Sequence, residues 1–264
     1  MKYCLFSHNG SPQYGLVESS AGRDTITRLF LPGDAPLPDE DSRTERIQPV
    51  SLDSARLLAP VRPSKIICVG RNYRDHAKEL GNEVPTKLLI FSKPPSSVIG
   101  PGEVIQRPSL SQRVDHEAEL GVVISRRCRK LGPDENVRDY INGYTCVNDV
   151  TARDLQKQDD QWTRAKGFDT FCPVGPVITD ELDPWQGVAV RCRVNGESRQ
   201  DGNTRDFIFP LDQIIRYIAD VMTLLPGDLI ATGTPAGVSP LNAGDSVEVE
   251  VEGISTLRNS VADE

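Results

Sequence analysis

Three acidic residues occur at spacings that could bring their carboxylates together. The segment VDHEAELGVVI, at residues 114–124, has the composition of a strand, in which side chains alternate between two faces. Asp115, Glu117 and Glu119 therefore share one face, where neighbouring negative charges repel unless a cation lies between them. Asp149 ends the next apolar run, GYTCVND, and could supply a third oxygen ligand.

Carboxylates without a cysteine or histidine partner indicate a hard metal ion with octahedral coordination. Mg²⁺ or Mn²⁺ is therefore favoured over Zn²⁺, which prefers nitrogen and sulfur ligands. The alternative is an acidic face that is simply solvated. The apolar residues GVVI directly after the glutamates, and the apolar strand that Asp149 ends, argue against that alternative.

A histidine and a glutamate three residues apart form a second candidate pair. In CVGRNYRDHAKELG, a strand is expected to end at Gly70, and residues 73–80 are expected to form a short helix that Gly81 closes. His76 and Glu79 are then neighbours on the helix surface. A carboxylate beside an imidazole raises its basicity, so the pair could activate a water molecule. The alternative is a surface pair without a chemical role.

The residues that follow Asp149 offer groups for binding an anion. Thr151 can cap a helix whose first turns carry Arg153 and Gln156, and the arginine could hold a substrate carboxylate with two parallel hydrogen bonds. Lys166 lies in an apolar, glycine-bordered context that could desolvate it. Surface salt bridges are the alternative for both cations. The loop ATGTPAG lacks the Gly-Lys-Ser/Thr of a phosphate-binding loop, which argues against nucleotide binding.

Short apolar runs rich in Val, Ile and Thr dominate the chain and predict more strands than helices. In the last segment Val247, Val249 and Val251 alternate with glutamates, which is typical of a half-buried antiparallel strand. Helical periodicity is clear at residues 211–224, where an apolar stripe ends before a Pro-Gly pair. We therefore predict a mixed, β-rich α+β fold.

The first 60 residues differ in character from the rest of the chain. They contain two candidate strands, at residues 3–6 and 25–31, followed by LPGDAPLPDEDS, which is typical of a loop. We predict a small N-terminal domain at residues 1–60 and a main domain with the candidate site at residues 61–264. The alternative is that the leading residues are the first strands of a single domain.

Composition excludes several classes of protein. The chain has 38 acidic and 30 basic residues and a net charge of -8, whereas a general nucleic-acid binder needs a basic face. The first residues are not typical of a signal peptide, and no run approaches the roughly 20 apolar residues that span a bilayer. The 6 scattered cysteines fit reduced thiols. We expect a cytoplasmic protein that binds small molecules rather than nucleic acid or membranes.

Six motifs together resemble the fumarylacetoacetate hydrolase family. They are CVGRNYRDHAKELG, FSKPPSSVIGPG, DHEAELGVVI, GYTCVNDVTARDLQ, RAKGFDTFCPVGP and DLIATGTPAGVSPL, and they follow the family's order with compatible spacing over about residues 64–261. The resemblance implies a mixed β-roll catalytic domain, a small N-terminal domain as in many bacterial members, a homodimer, and a Mg²⁺ or Mn²⁺ site.

The resemblance also implies roles for individual residues. The family's metal ligands fall on Glu117, Glu119 and Asp149, and its water-activating pair falls on His76 and Glu79. The other matching positions are the conserved lysine, the substrate-binding arginine and glutamine, and the Gly-Thr-Pro loop contact. In this sequence these are Lys166, Arg153, Gln156 and Thr234.

The implied reaction is C–C bond hydrolysis or decarboxylation of a small 2-oxo acid, such as an acylpyruvate or oxaloacetate, with release of pyruvate through a metal-stabilised enolate. In hydrolysis, the His76–Glu79 pair would deprotonate a water molecule. The alternatives are a 2-hydroxyhepta-2,4-diene-1,7-dioate isomerase or 5-oxopent-3-ene-1,2,5-tricarboxylate decarboxylase, in which Arg71 or Arg74 would bind the second carboxylate. A metabolite-binding protein is the non-enzyme alternative. The sequence does not determine whether a segment near residues 82–87 closes as a lid over the site.

Overall fold

The computed structural model describes residues 1–33, 35–79, 81 and 83–264 of the chain. Its helices are α1 (Arg74–Glu79), α2 (Arg153–Gln158), α3 (Thr163–Lys166) and α4 (Leu211–Val221), and short 3-10 helices lie at Leu52–Ser54, Pro95–Ser97, Val137–Tyr140 and Thr204–Asp206. The strands are β1 (Lys2–His8), β2 (Ser11–Ser20), β3 (Arg23–Phe30), β4 (Thr44–Ser51), β5 (Leu57–Leu58), β6 (Ile66–Gly70), β7 (Leu89–Lys93), β8 (Val98–Ile99), β9 (Val104–Arg107), β10 (Val114–Asp115), β11 (Ala118–Ile124), β12 (Ile141–Asn148), β13 (Thr151–Ala152), β14 (Cys172–Thr179), β15 (Ala189–Val194), β16 (Glu197–Asn203), β17 (Leu229–Ala231), β18 (Ser246–Val251) and β19 (Leu257–Asp263).

The largest sheet joins the N-terminal strands to the rest of the chain. Its order is β4-β3-β2-β1-β14-β12-β11-β17-β6-β7, with β5 paired to β1 and β8 paired to β14. Strand β1 pairs antiparallel with β14 through Lys2↔Thr179 and Tyr3↔Ile178. The leading strands are thus continuous with the main sheet, and the division of the chain at residue 60 stays a prediction.

A second sheet has the order β16-β15-β18-β19-β9, and β10 pairs with β13 in a short separate ladder. Strand β18 pairs antiparallel with both of its neighbours. Its valines Val247, Val249 and Val251 are buried, whereas Glu248 and Glu250 are half-buried beside arginines of neighbouring strands. This confirms the predicted half-buried antiparallel strand, and the structure as a whole confirms the predicted β-rich fold.

Helix α4 has the predicted apolar face but is shorter than predicted. Its residues Ile214 and Ile218 are fully buried in the core. The helix ends at Val221 rather than at residue 224, because Leu224 exchanges two backbone hydrogen bonds with Cys128, at 2.9 and 3.0 Å. The bridge competes with continuation of the helix.

The structure corrects two local predictions near the acidic residues. The single strand predicted at residues 114–124 is divided into β10 and β11, because β10 pairs with β13 whereas β11 pairs with β12 and β17. Thr151 does not cap α2: it belongs to β13, and its hydroxyl donates to the carbonyl of Asp149 at 2.9 Å. Ala152 precedes α2 without a side-chain cap.

Helix α1 lies where the sequence predicts a short helix, although Leu80, its predicted last residue, lies outside the described residues. Gly81 N–H donates to the carbonyl of Lys78 at 2.9 Å, with a φ of +71° that glycine adopts readily. The segment near residues 82–87, whose closure the sequence does not determine, includes Asn82, which also lies outside the described residues. No helix within the described part of the chain is long and apolar enough to cross a membrane.

Candidate active site

Several chain segments meet at one edge of the large sheet. Strand β17 runs parallel to β6, so the ends of both strands, at Ala231 and Gly70, lie at this edge. Strand β11 is antiparallel to β17, and β12 is antiparallel to β11, which places Ala118 at the start of β11 opposite Asn148 at the end of β12. Residues that flank these strand ends can therefore share one cavity.

The three candidate metal ligands converge at this edge. The backbone N–H of Asp149 donates to the carbonyl of Glu117 at 2.8 Å, and the N–H of Glu117 donates to Asn148 Oδ1 at 3.0 Å. Glu119 lies two residues further, on β11. One carboxylate oxygen from each of the three residues lies within 4.8 Å of the others, and all three residues are buried.

Two buried lysines balance part of this negative charge. Lys166 Nζ donates to Glu117 Oε2 at 2.8 Å and to Asp149 Oδ2 at 2.6 Å. Lys93 Nζ donates to Asp149 Oδ1 at 2.6 Å and to the carbonyl of Val150 at 3.0 Å. Burial alone would lower the pKa of Lys166, but the charges of Asp149 and Glu117 outweigh burial and raise it. Lys166 therefore stays an ammonium.

Arg153 is anchored to protein groups. Its Nε donates to Asp115 Oδ2 at 2.9 Å, one terminal nitrogen donates to Glu117 Oε1 at 2.5 Å, and the other donates to Gln156 Oε1 at 2.6 Å. Arg113 holds the other oxygen of Asp115 at 2.9 Å. A substrate carboxylate could meet only the remaining N–H groups of Arg153, so the predicted contact stays a prediction.

The buried glutamates differ in their pKa values. Burial raises the pKa of Glu117, but the positive charges of Lys166 and Arg153 outweigh burial and hold that pKa well below its ordinary value. For Glu119, burial and then the negative charges of Asp149 and Glu117 raise the pKa well above its ordinary value. Glu119 is thus the carboxylate whose charge is least compensated.

The donor set fits a divalent cation. Glu119 accepts a hydrogen bond from Gly233 N at 2.7 Å and forms no ion pair with any residue that the structure describes. A cation among the three carboxylates would relieve the repulsion that raises the pKa of Glu119, and oxygen ligands alone suit Mg²⁺ or Mn²⁺. Glu117, Glu119 and Asp149 would hold such an ion.

The His76–Glu79 pair lies on α1 and lines the same cavity as the acidic residues. His76 Nδ1 is 3.2 Å from Glu79 Oε2, and Glu79 Oε1 accepts a hydrogen bond from Gly237 N at 3.0 Å. Burial would raise the pKa of Glu79, but the hydrogen bonds from His76 and Gly237 lower it below its ordinary value. The ionised carboxylate can accept Nδ1–H, which leaves Nε2 as the basic nitrogen of the ring.

A cavity of about 490 Å³ is lined by all the predicted site residues except Arg74. Phe91 and Trp162 form part of its wall, with ring centroids 5.2 Å apart in an edge-to-face arrangement. Arg71 has a φ of +58°, a left-handed backbone conformation that residues other than glycine rarely adopt. Its guanidinium carbon lies 5.9 Å from the Trp162 ring centroid. Arg74 is exposed and does not line the cavity. The predicted residues in the wall are Arg71, His76, Glu79, Glu117, Glu119, Asp149, Arg153, Gln156, Lys166 and Thr234.

Three residues with no role predicted from the sequence lie at or behind the site. Lys93 ends the apolar strand of the FSKPPSS motif, and a lysine in such a context signals a buried anionic partner. Trp162 stacks beside Arg71 in the cavity wall. Gln200 lies behind Thr234 and is fully buried. No local sequence pattern indicates the contacts of Trp162 or Gln200.

Two family descriptions match nearly the whole chain. The family description "Fumarylacetoacetate (FAA) hydrolase C-terminal" matches residues 65–262, and "Rv2993c-like, N-terminal" matches residues 1–60. The chain is 41% identical over 225 residues to the oxaloacetate tautomerase YisK of Bacillus subtilis. The aligned region covers 80% of this chain and 76% of YisK.

Two solved structures extend over essentially the whole chain. The 5-carboxymethyl-2-hydroxymuconate delta-isomerase of Mycobacterium smegmatis is 39% identical, with a TM-score of 0.88 and 100% of both chains covered. The 2-hydroxyhepta-2,4-diene-1,7-dioate isomerase of Mycobacterium marinum is 40% identical, with a TM-score of 0.86 and 100% of this chain and 99% of the other covered. With the family match over residues 65–262, these similarities show that the chain belongs to the fumarylacetoacetate hydrolase family.

Proposed function

We propose that this protein is a metal-dependent tautomerase that moves a proton between C3 and the C2 oxygen of oxaloacetate or a similar small 2-oxo dicarboxylate. The observation that carries the proposal is the His76–Glu79 pair on the wall of a cavity that also contains three buried carboxylates. Proton transfer beside a carbonyl needs a base and a stabilised enolate. The names of the relatives, a tautomerase and two isomerases, support a rearrangement without loss of carbon.

In this proposal His76 takes the proton that leaves C3 on its Nε2 and returns it to the C2 oxygen. Glu79 stays ionised because its pKa is lowered, so it accepts Nδ1–H and stabilises the imidazolium that forms in between. The N–H of Gly237 holds the second oxygen of Glu79 and thereby fixes the orientation of the pair.

Fixed cations stabilise the enolate and orient the anionic substrate. Lys166 is 2% exposed and keeps its proton because its pKa is raised, so it supplies a constant positive charge. Arg153 adds a second cation beside Glu117. A bound Mg²⁺ or Mn²⁺ would act as a Lewis acid that stabilises negative charge on the C2 oxygen.

A second candidate is isomerisation of a longer dioic acid such as 2-hydroxyhepta-2,4-diene-1,7-dioate. Arg71 supports it, because this guanidinium lies in the cavity wall and forms no ion pair with another described residue. It could bind the second carboxylate, which would lie further from the acidic residues. Hydrolysis of acylpyruvates and decarboxylation of oxaloacetate, the reactions implied by the sequence resemblance, would use the same groups but release pyruvate.

One assay separates tautomerisation from decarboxylation and hydrolysis. Protein stripped with chelator and resupplied with Mg²⁺ or Mn²⁺ is mixed with the enol form of oxaloacetate, and the ultraviolet absorbance of the enol is followed by stopped flow. Pyruvate is measured in parallel with lactate dehydrogenase. Metal-dependent loss of the enol without pyruvate supports the tautomerase. Pyruvate released as fast as the enol disappears would instead indicate a decarboxylase. Release of pyruvate when acetylpyruvate replaces oxaloacetate would indicate a hydrolase.

The same family membership underlies a proposal about assembly. We propose that the protein forms a homodimer, as the resemblance implies. Size-exclusion chromatography with light scattering measures the mass directly, and a monomer at assay concentration would contradict this proposal.

A further inference from the structure

A fully buried glutamine connects the acidic strand to the Thr234 loop. Gln200 lies on β16 and has no exposed surface. Its Oε1 lies 3.0 Å from Ala118 N and 3.0 Å from His116 Nδ1. Its Nε2 lies 2.7 Å from Thr234 Oγ1 and 2.7 Å from the carbonyl oxygen of Pro235. All the hydrogen-bonding atoms of this side chain are therefore engaged.

Two backbone groups determine which end of the Gln200 amide is the oxygen. The N–H of Ala118 can only donate, so the atom beside it must be the oxygen, and the carbonyl of Pro235 can only accept, so the atom beside it must be the nitrogen. His116 Nδ1 faces the oxygen and therefore carries a hydrogen. On the other side of the ring, His116 Nε2 lies 2.9 Å from Ser239 Oγ.

The same reasoning fixes the hydroxyl group of Thr234. Its Oγ1 lies 2.8 Å from the carbonyl oxygen of Ala118, which can only accept, so the hydroxyl hydrogen is used there. One lone pair of the hydroxyl accepts the Gln200 N–H. A single lone pair remains, and Thr234 lines the cavity. A ligand that reaches this hydroxyl, on a residue that is 2% exposed, can therefore donate a hydrogen bond to it but cannot accept one from it.

The loop at residues 232–239 packs closely against β16, which keeps this arrangement in place. Gly237 has a φ of +103°, and a Cβ there would lie 1.9 Å from the carbonyl oxygen of Arg199. A Cβ on Gly202 would lie 2.4 Å from the Cβ of Pro235. Only glycine permits these approaches, so glycines at both positions keep the loop close enough to β16 for Gln200 to contact Thr234.

We propose that Gln200 is a positioning residue that holds Thr234 as a hydrogen-bond acceptor, so that the cavity prefers ligands presenting a hydroxyl group at this point, such as the enol of a 2-oxo dicarboxylate. The identity of the enol rests on the proposed function, whereas the polarity of Thr234 rests on the hydrogen bonds alone. A carboxylate oxygen at the same point would face the remaining lone pair and be repelled. His116 contacts both the Gln200 oxygen and the Ser239 hydroxyl, and it thereby fixes the orientation of the Gln200 amide.

Binding of two probe ligands tests the polarity without any turnover. Malate carries a hydroxyl group, whereas 2-fluorosuccinate carries at that carbon a fluorine of similar size that cannot donate a hydrogen bond. Calorimetry with Mn²⁺-loaded protein gives both dissociation constants. Wild type should prefer malate. Thr234→Val removes the acceptor but keeps the shape, and it should lower this preference about threefold to tenfold, as expected for loss of one neutral hydrogen bond.

Variants of Gln200 separate positioning from direct contact. Gln200→Met removes the N–H that fixes the Thr234 hydroxyl while keeping the length of the side chain, and it should lower the preference for malate although Thr234 is intact. Thr234→Ser keeps the hydroxyl and should retain the preference. Circular dichroism establishes folding, and the two Thr234 variants still test the polarity if Gln200→Met does not fold.

The outcomes distinguish this inference from the proposed function. Failure of wild type to bind malate, equal affinity for both probes, or an unchanged preference in Thr234→Val would overturn the polarity of Thr234. A wild-type preference in folded Gln200→Met would overturn the role of Gln200. A Thr234-dependent preference in a protein that does not tautomerise oxaloacetate would instead overturn the proposed function and leave this inference standing.

Discussion

The two sides of the cavity are built differently. The acidic side lies at the ends of strands, and Glu117 and Asp149 each have buried cationic partners. The side that carries His76 and Glu79 rests on α1, a helix of 6 residues, and the side chain of Glu79 is 31% exposed. Burying an unpaired charge costs several kcal/mol, whereas the partly exposed Glu79 can stay ionised and compensate a proton carried by the buried His76. The first side is thus suited to holding an ion, and the second to moving a proton.

The strongest test of this contrast is Glu119→Gln, which removes the least compensated carboxylate and keeps its shape. We expect loss of most Mn²⁺ affinity in calorimetry and a fall in tautomerisation of about 1,000-fold, because a Lewis acid contributes several kcal/mol. Glu248→Gln, on the half-buried face of β18, is the matched control and should change neither quantity. Unchanged Mn²⁺ affinity in Glu119→Gln would remove this residue from the metal site.

His76→Asn tests the other side of the cavity. We expect kcat to fall by about 10²- to 10⁴-fold, the usual contribution of a general base, while Mn²⁺ affinity stays at the wild-type value. Asp75→Asn, on the same helix with its side chain 83% exposed, is the control and should keep wild-type turnover. Equal losses of turnover and of Mn²⁺ affinity in His76→Asn would show that the two sides are not separate.

Lys93→Met tests the buried charge balance of the acidic side through stability. Lys93 and Asp149 are both almost fully buried, so removal of the cation should lower the free energy of unfolding by about 3–5 kcal/mol. Lys78→Met breaks an exposed pair with Asp75, at 3.6 Å, and should cost less than about 1 kcal/mol. Denaturant titrations of both variants give the comparison, and similar losses would contradict it.

The sequence predicts those features that depend on local periodicity. The alternation predicted for residues 114–124 places Glu117 and Glu119 on one side, where the structure has them although the segment is divided into two strands. The i, i+3 spacing of α1 pairs His76 with Glu79. Features that depend on distant contacts are missed. Lys93 meets Asp149 across 56 positions of sequence, and the contacts of Gln200 depend on the packing of β16 against a loop.

Tertiary pairing also overrides local propensity. Thr151 is a residue type that often caps helices, but here it pairs with Asp115 in the β10–β13 ladder. Helix α4 ends before Leu224 because that residue pairs with Cys128. The family resemblance predicts the β-roll fold, but it does not determine the reaction. Hydrolysis, decarboxylation and tautomerisation all pass through a stabilised enolate, so the same residues are compatible with each of them.

The smallest expected effect is the pH dependence of stability that Glu79 contributes. Although burial alone would raise it, the folded-state pKa of Glu79 lies below its ordinary value because of the hydrogen bonds from His76 and Gly237. Its stabilising contribution is therefore present above the unfolded-state pKa and is lost as the pH falls through the folded-state pKa. Because the side chain is 31% exposed, we expect less than about 1 kcal/mol.

Unfolding of wild type and Glu79→Gln across a range of pH measures this contribution. The difference between the two proteins should be constant near neutral pH and shrink towards zero in acid. A difference that grows in acid would reverse the sign of the pKa shift. The pH at which the difference vanishes marks the protonation of Glu79 in the folded protein.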